Sequence, residues 1–286
     1  MKLCRFASEA GEVLPGLVLK DATVLDLKAR GIASLTEVFE NPAAFREAER
    51  LAESATGAPV RIETARLAAP VDGQEVWAAG VTYLRSKTAR MEESDFSATA
   101  YDRVYEAERP EIFFKSLAEK AVGPADAVGI RRDARWSVPE PELVLIFDSK
   151  GEIRGYTAGN DMSSRDIEGE NLLYLPQAKI YDRSCALGPW IVTGPSEEEA
   201  RAWSISVEIS REGRAVFGGQ TSVGQIRRSF KSLGEFLFRS QRFPHGAALL
   251  TGTGIVPPDN FTLAAGDEIE VKISGVGAIK NRVEIV

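Results

Sequence analysis

The stretch PEPELVLIFDSKGEIRGYTAGND, residues 139–161, constrains the fold more than any other part of the chain. The apolar run LVLIF predicts a strand, DSKG a tight turn, and EIRGYTAGND a returning strand that closes on Asp161. Strand side chains alternate between faces, so Glu140 and Glu142 share one face. With the turn centred near Ser149–Lys150, Glu142 is expected opposite roughly Thr157, and Glu140 opposite Gly159 or Asn160. Asp161 then joins the two glutamates at one end of the hairpin, and three carboxylates converge.

Carboxylates this close repel one another unless a cation joins them. The simplest candidate is a divalent ion with oxygen preference: Mg²⁺, Mn²⁺ or Ca²⁺. Three protein oxygens leave positions open on an octahedral ion, which suits a chelating substrate. Spacing alone leaves an alternative, a solvated strand end carrying ordinary acids. Downstream, QAKIYDRSCALGPW carries Lys179, Asp182 and Arg183. A lysine beside a keto acid can hold a carboxylate, or act as acid or base if its pKa is depressed. On its own, Lys179 reads as a surface lysine.

A chain of 286 residues suits one large domain or two unequal ones. Residues 1–65 read as a small α+β domain, with short strands in MKLCRFA and GLVLKDATVLDL and a helical pattern from Ser34 to Ala55. RLAAPV is a plausible linker, and 66–286 a second, β-rich domain. EVWAAGV reads as a buried strand, 82–109 as helix, and RPEIFFKS as a short strand. The remainder is mostly strands, interrupted by one helical segment, QIRRSFKSLGEFLFRSQ. Strands that follow strands imply an α+β fold with a mainly antiparallel roll or sandwich, not a doubly wound parallel sheet.

Charge and cysteine content exclude several classes. With 35 basic and 42 acidic residues, the net charge of −7 argues against a nucleic-acid partner. Cys4 and Cys185 are too few and too far apart for a disulfide framework or a zinc site, which suggests a reducing compartment. The start MKLCRFASEAGEVLPG lacks the apolar core of a signal peptide, and no run of about 18 apolar residues suggests a membrane span. The chain reads as cytoplasmic.

Several motifs together carry a resemblance. PEPELVLIFDSKGEIRGYTAGNDMSSRD, then QAKIYDRSCALGPWIVTG, then ALLTGTG, resemble the fumarylacetoacetate hydrolase superfamily over roughly residues 66–286. The resemblance implies that Glu140, Glu142 and Asp161 are metal ligands, for Mg²⁺ or Mn²⁺ in most members. It also implies that Lys179 is the active-site lysine, that Thr253 contacts substrate, and that Gly252 lies in the same turn. Members commonly form homodimers or homotetramers.

One departure matters. Hydrolytic members carry a G-x-N-Y-x-x-H segment, whereas this chain reads GVTYLRS and places Ser86 where the histidine would be. The only histidine, His245, lies in RFPHGAALLTGTG and is a candidate to reach the site. GVTYLRSKTARMEE, YDRVYEAERPEIFFKS and GNDMSSRDIEGENLLYLPQAKIYDRSCALGP are more similar to the 2-keto-3-deoxy-pentonate dehydratase branch. That narrower likeness implies a 2-keto acid substrate, a semialdehyde product and a catalytic glutamate matching Glu111. Lys179 and Glu111 then share the acid and base roles, with Ser86, Arg85, Thr253 and Gly252 as candidates to hold substrate and Lys115 as a structural lysine. The alternative within the same fold is a C–C hydrolase or decarboxylase acting on an acylpyruvate or oxaloacetate.

Overall fold

The computed structural model describes residues 1–84 and 103–286, and the hairpin lies inside the larger of its two main sheets. Strand Pro141–Phe147 is buried along its whole length, between Ile153–Asp161 and Ala247–Leu250. Alternation sends Leu143, Leu145 and Phe147 into one core and Val144 and Ile146 into another. An unbroken apolar run suits such a strand, because both faces leave water. Each fully buried Leu, Ile or Val contributes about 1.5–3 kcal/mol relative to exposure.

The large sheet runs in the order Val60–Arg61, Thr23–Asp26, Val13–Val18, Lys2–Ala7, Cys185–Val192, Ile153–Asp161, Pro141–Phe147, Ala247–Leu250, Glu75–Gly80, Glu111–Ser116. Its pairings are antiparallel except Ala247–Leu250 with Glu75–Gly80. A second sheet, Arg214–Ser222, Ser204–Arg211, Glu268–Ile273, Gly277–Ile285 and Ala127–Ile130, covers one face. Helices Leu35–Glu40 and Pro42–Ser54 cover part of the other through Leu35, Val38, Phe39, Ala48 and Leu51. Ser34 and Asn41 cap these helices by accepting from Glu37 N and Ala43 N, and Pro42 occupies a first turn where its missing N–H costs nothing. This is the expected α+β architecture, dominated by antiparallel sheet.

The hairpin register differs from the expected one by two residues. Glu142 faces Gly159, and Thr157 faces Val144 instead. The cause lies at the turn. Asp148 N–H donates to Glu152 O at 3.0 Å, and Asp148 Oδ1 accepts from the N–H groups of Lys150 and Glu152. Pairing then passes from Phe147–Ile153 to Ile146–Gly155, which leaves Arg154 as the extra residue of a bulge, ion-paired to Asp148 at 2.8 Å. The shift carries Asp161 N–H onto Glu140 O at 2.9 Å, so the acids converge more closely than the simple turn implies.

Residues 1–65 join the same sheet through Lys2–Val192 and Leu3–Ile191. RLAAPV is not a free linker: Leu67–Ala68 pairs with Lys2–Ala7, and the Arg5 guanidinium donates to the carbonyls of Ala69 and Val71. Strand Arg214–Ser222 escapes the sequence pattern because its Gly218–Gly219 pair breaks the alternation of strand-forming residues. Most of the segment expected as helix over 82–109 lies outside the described residues. Among the described residues, no helix is long and apolar enough to cross a membrane.

Candidate active site and metal centre

Glu140, Glu142 and Asp161 are 3 %, 1 % and 1 % exposed, and each offers an oxygen within 4.8 Å of the others'. This excludes the solvated strand end. One oxygen of each carboxylate faces a fixed cation or backbone N–H. Arg165 Nη2 lies 2.8 Å from Glu140 Oε1, Lys115 Nζ 2.5 Å from Asp161 Oδ1, and Gly252 N–H donates to Glu142 Oε2 at 2.6 Å. Lys179 Nζ bridges the second oxygens of two of them, Glu140 Oε2 at 2.6 Å and Asp161 Oδ2 at 3.1 Å, and also contacts Ser163 Oγ.

Local sequence explains these placements. Lys179 ends the short helix Leu175–Lys179, whose first turn contains Pro176. Gly252 has φ +91°, and a Cβ there would lie 2.1 Å from Thr82 Oγ1, so the turn needs glycine to point its N–H at Glu142. The Thr82 hydroxyl is itself spent on Thr251 O at 2.6 Å. Arg165 and Glu168 stand on one face of helix Arg165–Glu170, three residues apart, and both are buried.

Electrostatics single out Glu142. Lys179 reaches the other two acids, whereas Glu142 receives the N–H of Gly252. Burial, followed by the charges of Asp161 and Glu140, pushes its carboxyl well above the usual carboxylate range. An extra cation at this point would relieve the penalty. The donor set is all oxygen, buried and pre-oriented by outer partners, which fits a hard divalent ion of the Mg²⁺, Mn²⁺ or Ca²⁺ type.

One cavity is lined by these acids together with Glu111, Lys179, Gly252 and Thr253. The carboxylate of Glu111 lies over Gly80, its cross-strand partner. Arg85 and Ser86 lie outside the described residues. His245 is exposed, packs its ring against Gly73, and is not among the cavity-lining residues. Arg183 points elsewhere, to Glu284 at 2.7 Å. Sequence reasoning gave no role to Arg165 or Glu168, and read Lys115 as structural only. A usable signal was present: Glu111, Phe113 and Lys115 alternate along one strand, so all three share a face.

The family model described as fumarylacetoacetate (FAA) hydrolase C-terminal matches residues 75–284. The chain belongs to the fumarylacetoacetate hydrolase family. Within it, the chain is 42 % identical, over 93 % of its length and 92 % of the relative, to a Haloferax volcanii protein named probable 2-keto-3-deoxyxylonate dehydratase. It is 37 % identical to the 2-dehydro-3-deoxy-D-arabinonate dehydratase of Saccharolobus solfataricus, covering 98 % of this chain and 95 % of that one. A solved structure of 2-keto-3-deoxy-D-arabinonate dehydratase complexed with magnesium and 2,5-dioxopentanoate superposes with a TM-score of 0.83 at 33 % identity. It covers 100 % of this chain and 99 % of its own, so the family fold extends through the N-terminal residues as well.

Proposed function

We propose that the protein is a magnesium-dependent dehydratase that converts a 2-keto-3-deoxy-pentonate, such as 2-keto-3-deoxy-D-arabinonate, into 2-oxoglutarate semialdehyde and water in pentose catabolism. The observation that carries this reading is the 42 % identity, across nearly the whole of both chains, to a relative named for that reaction class. The buried acid set supports it, because a 2-keto acid presents two oxygens to an ion held on one side.

Glu140, Glu142 and Asp161 would hold Mg²⁺, with Mn²⁺ or Ca²⁺ as substitutes on the same oxygens. When bound, the ion would polarise the keto group and make the C3 proton removable. Glu111 and Lys179 divide the proton transfers: one takes the C3 proton while the other protonates the C4 hydroxyl as it leaves as water. The enone then loses a C5 proton and regains one at C3, which gives a C4=C5 enol; loss of the C5 hydroxyl proton and protonation of C4 complete the aldehyde, so the same pair acts again. Thr253, with Arg85 and Ser86, holds the carboxylate and hydroxyls, while Gly252, in the same turn, keeps its N–H on Glu142. The catalytic unit is residues 66–286, and 1–65 form the small N-terminal unit.

Ser86, where hydrolytic members carry histidine, and the exposed position of His245 disfavour a C–C hydrolase. We place the enzyme in the cytoplasm as a homodimer or homotetramer, without nucleic-acid or membrane partners. The test is an assay of purified protein with Mg²⁺ against 2-keto-3-deoxy sugar acids, acylpyruvates and oxaloacetate, with semialdehyde coupled to a dehydrogenase. Semialdehyde from the sugar acids is expected. Cleavage of acylpyruvates or decarboxylation of oxaloacetate, without dehydration, would overturn the proposal.

A further inference from the structure

Lys115 is wholly buried on strand Glu111–Ser116, and its ammonium is enclosed by oxygens. It contacts Asp161 Oδ1 at 2.5 Å, donates to Met162 O at 3.0 Å, and donates to the backbone carbonyl of Lys179. Three oxygens from two separate segments surround the ammonium: two carbonyls accept its hydrogen bonds, and Asp161 Oδ1 pairs with it by charge, outside hydrogen-bond geometry. Resting on the proposed function, we infer that Lys115 is a positioning residue, which locks the ligand Asp161 and the acid–base residue Lys179 into one geometry.

Three observations distinguish this from an ordinary buried ion pair. First, Lys115 is absent from the cavity wall while Glu111 and Phe113 of the same strand belong to it, so it acts on substrate only through other residues. Second, it engages one oxygen of Asp161 while Lys179 engages the other, which fixes the rotation of that carboxylate about its own axis. Third, the carbonyl it holds belongs to the last residue of helix Leu175–Lys179, where helical carbonyls lack an internal partner and a cation is favourable. Removing the ammonium would therefore free a ligand and release the helix end that carries Lys179. A lysine that merely held the strand in place would affect neither.

The test is Lys115→Met, with folding checked by circular dichroism. Mg²⁺ affinity is measured by calorimetry and kcat at saturating Mg²⁺. The dissociation constant for Mg²⁺ is expected to rise about 10–100-fold, the usual effect of losing an outer partner of a metal ligand. At saturating Mg²⁺, kcat is expected to stay roughly 100-fold low, because Lys179 remains displaced. A folded variant with either quantity within about twofold of wild type would overturn the inference. If Lys115→Met does not fold, Lys115→Arg decides. It keeps the charge on a planar head that cannot converge on three oxygens in the same way. Losses of about tenfold in both quantities are expected, and wild-type values in either would overturn the inference. The calorimetric arm reads without turnover. A wild-type enzyme that binds Mg²⁺ but forms no semialdehyde would sink the proposed function and leave the tie between Lys115 and Asp161 testable.

Discussion

Replacing Gly80 by alanine should disable Glu111 without touching Glu111. A Cβ on Gly80 would stand 1.9 Å from Glu111 Oε2 and 2.7 Å from its Cδ. Ordinary contact begins near 3.4 Å, so the carboxylate must retreat by about 1.5 Å. The obstacle is the free end of a side chain, so the backbone survives and thermal stability should change little. A misplacement of about 1 Å at a reacting group costs on the order of 100-fold, or roughly 2.7 kcal/mol of barrier. Gly80→Ala should therefore lower kcat about 100-fold, approaching the loss expected for Glu111→Gln. Mg²⁺ affinity should hold, since the three heavy atoms nearest the added Cβ all belong to Glu111. The assay couples semialdehyde to a dehydrogenase at saturating substrate, with calorimetry for Mg²⁺. Wild-type kcat in a folded Gly80→Ala enzyme would refute the catalytic use of Glu111 in this position.

Three further outcomes are expected. Glu142→Gln should weaken Mg²⁺ binding and turnover together, by about 10–100-fold in affinity, as read by calorimetry and by the Mg²⁺ dependence of rate. Lys179→Met should abolish measurable turnover yet bind Mg²⁺ at least as tightly as wild type, because it removes a cation from Glu140 Oε2 and Asp161 Oδ2; weaker binding would contradict the competition. Burial pushes the thiols of Cys4 and Cys185 up to about 12, so neither should react with an aromatic disulfide reagent at pH 8 until denaturant is added, when both should titrate.

The features legible in the sequence are those written in short periods. Alternation placed Glu140 and Glu142 on one face, and the turn brought Asp161 to the same end of the hairpin. The two-residue error in register came from the turn itself, because DSKG gives no sign that Asp148 will accept from Lys150 and Glu152 and force a bulge at Arg154. Lys115 was harder. Its strand position was readable, but its acceptors lie 46 to 64 residues away, and nothing local distinguishes it from an exposed lysine. The pairing of Lys2–Ala7 with Cys185–Val192 was hidden for the same reason, since partners so distant in sequence leave no local pattern.

The three outer donors also explain why amides cannot replace these acids. An ionised carboxylate offers two accepting oxygens, whereas an amide offers one, and its nitrogen only donates. Glu142 must accept from Gly252 N–H with one oxygen and present the other to the cavity. As glutamine it could satisfy Gly252 and turn an NH₂ towards the ion, or turn its oxygen inward and set NH₂ against N–H. The same conflict holds for Glu140 between Arg165 and Lys179, and for Asp161 between Lys115 and Lys179. The chain thus keeps three like charges buried within 4.8 Å despite their repulsion, because no uncharged side chain of that shape can accept on both sides. Burial, with the charges of Asp161 and Glu140, raises the carboxyl of Glu142, the acid with no hydrogen bond from Lys179, and a divalent ion would offset that penalty.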